Sequence, residues 1–160
     1  MTEAIISAII TGIAGPIITY YFTTVLPSKV YPKISTASQS NLNGRWNGSG
    51  YQQYGPQGET LEHTFSVTFH CGKRKIAGNA IMHVAVDNAK FIMHYKIDGI
   101  FFEDRIVSFT YRNTDSKVRQ YGSAVLELDT PGQKLRGLII GYGFLSKSIV
   151  EVRVELEKTA

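Results

Sequence analysis

Residues 61–69 read Leu-Glu-His-Thr-Phe-Ser-Val-Thr-Phe, and this stretch decides the fold. Its odd-numbered positions are mostly apolar and its even-numbered positions are polar. Side chains of a β-strand point alternately to the two faces of a sheet, so a period of two predicts a strand with one buried and one wet face. The same alternation recurs in residues 149–157, where valine and leucine alternate with glutamate and arginine.

Segments of this kind fill the chain after residue 41. They lie near 43–53, 60–70, 74–86, 90–98, 100–112, 120–128, 134–142 and 147–157. Glycine, asparagine, aspartate and proline separate them, and the links are short enough for hairpins. No pattern of a long amphipathic helix interrupts the series. The sequence therefore predicts an all-β fold, an eight-stranded up-and-down antiparallel barrel, with a two-sheet sandwich as the alternative.

Residues 4–26 form an apolar run without a charged side chain. A helix of that length would measure roughly 35 Å, which exceeds the ~30 Å of bilayer hydrocarbon. We therefore predict one N-terminal transmembrane helix at 4–26, a linker at 27–40 and a single domain at 41–160. A signal peptide fits less well because no basic residue precedes the run, and a core helix fits less well because the run is long and uniformly apolar.

Two features of this N-terminal segment bear on its role. Ser7, Thr11 and Gly15 recur at every fourth position, so they would form one stripe of small side chains through which helices approach each other closely. Lys29 and Lys33 follow the run and nothing basic precedes it, so the positive-inside tendency places the domain in the cytoplasm. We predict a single-pass membrane protein that contacts lipid and self-associates through this stripe.

The composition argues against several functions. The net charge of +4 is mild and the basic residues are scattered, so we expect no direct binding to DNA or RNA. A lone cysteine, Cys71, excludes an internal disulfide. The four histidines lack the spacing of a metal site, and no nucleophile elbow, phosphate loop or carboxylate pair is present. We therefore predict no metal, no cofactor and no enzymatic activity.

The first predicted strand opens with Gly44, Arg45 and Trp46, the only tryptophan of the chain. A glycine two positions before a tryptophan, at the start of an eight-stranded barrel, resembles the Gly-X-Trp signature of lipocalin-like (calycin) barrels. The resemblance implies that Trp46 closes the floor of the barrel. It also implies that an arginine from a late strand packs across the tryptophan ring by a cation–π contact, a place that Arg153 would take.

The whole layout, a short membrane segment followed by a lipocalin-like barrel, resembles the membrane-anchored β-barrel effectors of CBASS, the cyclic-oligonucleotide antiphage systems. The resemblance implies a barrel that binds a cyclic dinucleotide, and a homo-oligomer that forms on activation and disrupts the bacterial inner membrane, which kills the cell. Members of that family usually carry two membrane helices. This sequence has one such run, so its assembly geometry departs from the family pattern.

Polar side chains lie among apolar ones on the predicted inner face. We place five of them there: Gln52, His63, Tyr95, Arg105 and Tyr111. An inward arginine needs an anionic partner, and a ligand phosphate would supply one through a bidentate contact. Aromatic faces such as Tyr51 would stack on bases. The alternative without a ligand pairs Arg105 with Glu103 or leaves it in water at the barrel mouth.

Two further functions stay open at this point. A membrane-tethered lipocalin-like carrier of a small apolar ligand would have a cavity lined by Phe, Met and Ile side chains, with no arginine at its centre. A structural subunit of a membrane complex would have a filled barrel and no cavity.

Overall fold

A computed structural model of the chain describes residues 20–21, 33–54, 59–86, 89–115, 117–143 and 146–159. It divides into two compact units, residues 1–33 and residues 34–160. The predicted transmembrane helix at 4–26 and its stripe of Ser7, Thr11 and Gly15 lie outside the described residues, except for positions 20 and 21. Within the described residues, no helix combines the length and the apolar character that crossing a membrane requires.

The second unit contains one short helix and eight strands. In chain order they are α1 (Thr36–Leu42), β1 (Gly44–Tyr54), β2 (Glu59–Cys71), β3 (Ile76–Val86), β4 (Ala89–Phe102), β5 (Ile106–Asn113), β6 (Tyr121–Leu128), β7 (Lys134–Gly143) and β8 (Ser148–Lys158). Each strand pairs antiparallel with its neighbour in sequence, and β8 pairs with β1, which closes the barrel. The predicted all-β barrel is confirmed, and the two-sheet sandwich is wrong.

One predicted boundary differs from the structure. The sequence pattern predicted a strand end at residue 98 and a new strand from residue 100, with the turn at Asp98 and Gly99. In the structure β4 continues to Phe102 and the chain turns at residues 103–105. Glu103 and Asp104 both have positive φ, 49° and 57°, and the Arg105 N–H donates to the Phe102 carbonyl over 2.9 Å. Two central residues with positive φ are the signature of a type I′ hairpin turn. The pair Glu-Asp lacks the glycine that usually marks such a turn in a sequence.

Gly99 has a different role, because it lies inside the barrel wall. A Cβ at this position would come within 2.6 Å of the Cβ of Phe109, the residue paired with it on β5. The glycine therefore lets the backbone and the phenylalanine approach closely, rather than forming a turn.

Helix α1 covers one end of the barrel. Ser35 caps it by accepting a hydrogen bond from the Ser38 N–H, and Ile34 and Leu42 are buried in the core. The Ile34 N–H donates to the Lys73 carbonyl in the β2–β3 hairpin. The barrel unit thus begins at Ile34, so the part of the predicted 27–40 linker from residue 34 onward belongs to it. The serine and threonine residues of that stretch include the N-cap of α1.

Trp46 forms the floor at this closed end. Its side chain is fully buried and its Nε1–H donates to the Leu42 carbonyl of α1 over 2.9 Å. The cation over its ring is Lys158, at 5.7 Å from the centroid, and not Arg153. Arg153 is 83% exposed because it alternates with the inward Val152 and Val154, so the prediction for Arg153 is wrong.

Alternating hairpins give the barrel two distinct ends. The β2–β3, β4–β5 and β6–β7 hairpins lie at the closed end with α1, and the other four hairpins surround the opposite end, called the open end here. The largest fully buried side chains are Trp46, Phe69, Leu42, Ile76, Leu126, Leu135 and Val107. Most of them belong to the closed end, which is therefore the densely packed half of the core.

Candidate ligand-binding cavity

A cavity of about 70 Å³ occupies the barrel interior. A single water needs ~10–15 Å³, so the space fits a small ring compound but is below the ~300–1,000 Å³ of sites for drug-sized ligands. Most of its wall is apolar: Leu61, Phe65, Val67, Ala80, Met82, Val84, Met93, Ile97, Phe109, Leu126, Ile139, Val150, Val152 and Leu156. The polar lining is limited to Gln52, His63, Tyr95, Tyr111, Gln120 and Ser146.

The first polar group is the pair of Gln52 and His63 on adjacent strands β1 and β2. The His63 Nε2 lies 3.2 Å from the Gln52 Oε1. A carboxamide oxygen accepts, so Nε2 carries the proton and Nδ1 is left as a bare acceptor. His63 is only 5% exposed, and its buried Nδ1 has no hydrogen-bond partner among the described residues. An unpaired buried acceptor is costly, and it is the strongest sign of a ligand in this barrel.

Burial also fixes the charge of this histidine. Desolvation lowers the pKa of His63 to about 4, because a cation in the apolar interior loses its hydration. The ring is therefore neutral at pH 7. A neutral imidazole with a free Nδ1 can accept a hydrogen bond from an N–H or O–H group of a bound molecule.

The second polar group centres on Tyr95 of β4. Its hydroxyl donates to the Gln120 Oε1 over 2.6 Å, and the Tyr111 ring meets its ring edge-on with the centroids 5.2 Å apart. Burial raises the pKa of Tyr95, and the nearby Tyr111 raises it further. Burial raises the pKa of Tyr111 to about 12. Both phenols are therefore uncharged at neutral pH, and they add aromatic surface to a neutral cavity.

Two glycines make room for Tyr111. Its hydroxyl oxygen would clash with a Cβ at Gly141, and it lies 2.5 Å from where a Cβ of Gly122 would be. These two glycines pair directly across β6 and β7. Their missing side chains let the tyrosine pack against the backbone, which fixes the position of the aromatic wall.

The structure brings together three of the predicted ligand-binding residues. His63, Tyr95 and Tyr111 all line the cavity, as does Gln52. Whether they bind a ligand stays a prediction. Gln120 was not among the predicted site residues, although it shares the inward face of the predicted strand 120–128 with Ala124 and Leu126, and that pattern could have identified it.

Arg105 and Tyr51 lie elsewhere. Arg105 follows the positive-φ turn after β4, where its side chain is 66% exposed and forms an ion pair with Glu127, so the prediction that it faces the interior is wrong. The misplaced turn explains the error, because residues 103–105 do not continue the strand alternation. Tyr51 lies on the outer face of β1 with its hydroxyl 3.5 Å from a Glu62 carboxylate oxygen.

Charge is confined to the surface around the cavity. Among the described residues, no Lys, Arg, Asp or Glu side chain lines it. Exposed cations do occur on the hairpins of the open end, together with one exposed acid: Lys90, Lys117, Arg119 and Lys147, with Asp115. The sequence of the same hairpins adds Glu59 and Asp87. Within the described part of the chain, no three His, Cys, Asp or Glu side chains converge as metal ligands would.

Comparisons with known proteins agree on the fold. No protein-family model matches the sequence, and neither does a curated protein. Among solved structures, the barrel is similar to EF1p2_mFAP2b bound to DFHBI, with a TM-score of 0.57 and 7% identity over 76% of this chain and 98% of that one. It is also similar to the redesigned beta barrel b11L5F_LGL, with a TM-score of 0.53 and 12% identity over 77% of this chain and 96% of that one.

A third similar structure is a natural protein, Rv2717c from M. tuberculosis. Its TM-score is 0.51 and its identity 13%, over 79% of this chain and 99% of that chain. The three TM-scores, all above 0.5, show a shared barrel architecture. Because the sequence identities are low, ligand and activity must be argued from the site itself.

Proposed function

We propose that this chain is a membrane-anchored ligand-binding protein whose barrel holds a small neutral ring compound. The single observation that carries the proposal is the unpartnered, buried Nδ1 of His63 in the wall of an internal cavity. An apolar wall with a few convergent polar groups is the usual make-up of a small-molecule site. A barrel serving only as a structural subunit would have no reason to keep both the space and the orphan acceptor.

The site favours a particular ligand chemistry. Charged ligands are disfavoured because no described cavity side chain offers an opposite charge, and burying an unpaired ion is costly. The Nδ1 of His63 calls for one N–H or O–H donor on the ligand. The rings of Phe65, Phe109 and Tyr111 offer contacts to the faces and edges of an aromatic ring. These features describe a flat, uncharged molecule with a single polar donor.

Indole and benzofuran test this proposal as a matched pair of probes, since they share shape and differ in the N–H. Isothermal titration of the purified chain should show indole binding about tenfold more tightly, the value of one buried hydrogen bond. The preference should vanish in His63→Phe. Equal affinity for the two probes in the unsubstituted chain, or no binding of either, would contradict the proposal.

A second candidate is the cyclic-dinucleotide effector of the CBASS type, which activates by oligomerising and disrupting the inner membrane. The carboxamides of Gln52 and Gln120 favour it, because amides pair well with the edges of nucleobases. The cavity would admit one base, and the phosphates would stay outside near the cations of the open end, Lys117, Arg119 and Lys147. In this candidate Arg105 has no ligand role.

Salt dependence separates the two candidates. A panel of cyclic di- and trinucleotides is titrated at low and at high ionic strength. Phosphate contacts at an exposed rim weaken as salt screens them, whereas neutral-ring binding inside the barrel barely changes. Binding of a cyclic nucleotide that falls steeply with salt, and that Arg119→Ala weakens, would select the effector. No binding of any member of the panel would remove it.

A further inference from the structure

Strand β7 is apolar on both of its faces near the open end. Ile139 faces the interior, while Leu138, Ile140 and Tyr142 face outward and are exposed. A strand that reads as a continuous apolar run is typical of one covered on both sides. No described residue covers the outer face of β7 at these positions, so the strand indicates that a further surface packs against it.

The neighbouring strands extend the apolar area. Val125 of β6 lies directly opposite Leu138, and Ile149 of β8 lies directly opposite Tyr142. With Tyr121 at the start of β6, they form one exposed surface, which we call the β7 patch: Tyr121, Val125, Leu138, Ile140, Tyr142 and Ile149. Single exposed apolar residues are ordinary on protein surfaces, but a contiguous group of six on three adjacent strands is not.

We propose that the β7 patch is the docking surface for a second copy of this chain. Six partly exposed side chains of this size present on the order of 600 Å² of apolar surface, at the upper end of what monomers leave uncovered. Two such patches facing each other would bury roughly 1,200 Å², which reaches the size of a specific protein–protein interface. The inference does not depend on what the cavity binds.

The charges beside the patch fit a symmetric contact. Arg153 lies opposite Leu138 and Glu151 lies opposite Ile140, and the two form an exposed ion pair with each other over 3.6 Å beside the apolar centre. In a two-fold interface each residue meets its counterpart in reverse order, so the two exposed pairs can exchange partners, Arg153 of one copy with Glu151 of the other.

The same border gives a lipid surface no electrostatic attraction. Beyond Ile149, the outward positions of β8 are three glutamates and one arginine, and Lys134 and Arg136 of β7 form ion pairs with Glu157 and Glu155. The border therefore carries no net charge that would hold anionic headgroups.

Cysteine cross-linking of the full-length chain in neutral detergent tests the proposal. Ile140→Cys places a thiol in the patch, and Ile92→Cys places one on the outer face of β4, three strands away. Ile140 is 46% exposed and Ile92 is 58% exposed, so the two positions are matched in accessibility, and the native Cys71 is buried. Mild oxidation should give covalent dimers about tenfold faster through position 140 than through position 92.

A second substitution tests whether apolar contact through the β7 patch holds the dimer together. Leu138→Glu in the Ile140→Cys background should lower the dimer yield by roughly tenfold, because it puts a charge at the centre of the apolar contact. The position is exposed, so the barrel still folds, which the fluorescence of Trp46 verifies. Equal cross-linking at positions 140 and 92, as association through the N-terminal segment alone would give, would overturn the proposal.

Lipid is the remaining occupant that the experiment must detect. Maleimide labelling of Ile140→Cys should slow as protein concentration rises and should not respond to vesicles of anionic phospholipid. Protection that requires the vesicles and ignores protein concentration would assign the patch to the membrane and overturn the proposal.

Discussion

Replacing His63 with phenylalanine should remove most of the barrel's sensitivity to mild acid. Burial lowers the pKa of His63 in the folded chain to about 4, against 6.5 for an unperturbed histidine. Between these two values the unfolded chain binds a proton that the folded chain does not. Stability therefore falls as the pH drops from 6.5 towards 4, and it is retained above 6.5.

The size of the effect follows from the same two pKa values. Going from pH 7 to pH 5 should lower the free energy of unfolding by about 2 kcal/mol, because the unfolded state gains protonation at His63 while the folded state gains almost none. The other titratable groups that face the cavity are Tyr95 and Tyr111. Their pKa values are raised, so they do not titrate in this range.

Urea unfolding of residues 34–160, followed by the fluorescence of the buried Trp46, measures this difference. In His63→Phe, the free energy of unfolding should fall little between pH 7 and pH 5. At pH 7 it should stay within about 1 kcal/mol of the value for the parent chain, because the unpaired acceptor disappears while Gln52 loses a partner. His83→Phe, an exposed outward position on β3, is the matched control and should keep the full loss. A His63→Phe chain as acid-sensitive as the control would refute the reasoning.

Three further substitutions follow from the structure. Gly141→Ala should destabilise the barrel by about 1–3 kcal/mol, because the added methyl group displaces the Tyr111 hydroxyl, and urea unfolding measures it. Lys158→Met keeps the apolar stem but removes the ammonium that donates to two carbonyls of α1, at 2.9 and 2.6 Å. The hydrogen-exchange rate of the α1 amides should therefore rise several-fold, and an unchanged rate would contradict this role of Lys158. Arg105→Ala should cost less than about 1 kcal/mol, because its ion pair with Glu127 is exposed, and it should leave indole affinity unchanged in titration.

The barrel was predictable because the period-two alternation is a local consequence of strand geometry, and one buried face repeats it in every strand. Parity alone then placed His63, Tyr95 and Tyr111 on the inner face. The prediction for Arg105 was wrong because two non-glycine residues adopt positive φ in the turn before it. Aspartate is among the residues that tolerate this conformation, but Glu103 gives no sign of it. The partnering of polar atoms, such as the bare Nδ1 of His63, depends on neighbours from other strands and is visible only in three dimensions.

Trp46 and the cation that packs on its ring give a second example of what the sequence does and does not predict. The Gly-X-Trp spacing correctly placed the tryptophan at the floor of the barrel. An inward side chain near the start of the first strand lies at the barrel end, where it fills the interior. The identity of the cation depends on the register between β1 and β8, which pairs Trp46 with Lys158. Arg153 has the opposite parity, because it alternates with the inward Val152 and Val154, so the strand alternation already places it outside the barrel.

Methyl NMR of methionine tests the central claim, that the barrel interior is a site for a small neutral ring compound. The chain has three methionines, of which Met82 and Met93 line the cavity and Met1 begins the chain. Titration of the methyl-labelled chain with indole should shift the Met82 and Met93 signals together, along one saturable curve, and leave the Met1 signal in place. Cavity methyl signals that stay fixed up to the solubility limit of indole, or that move no more than Met1, would contradict the claim.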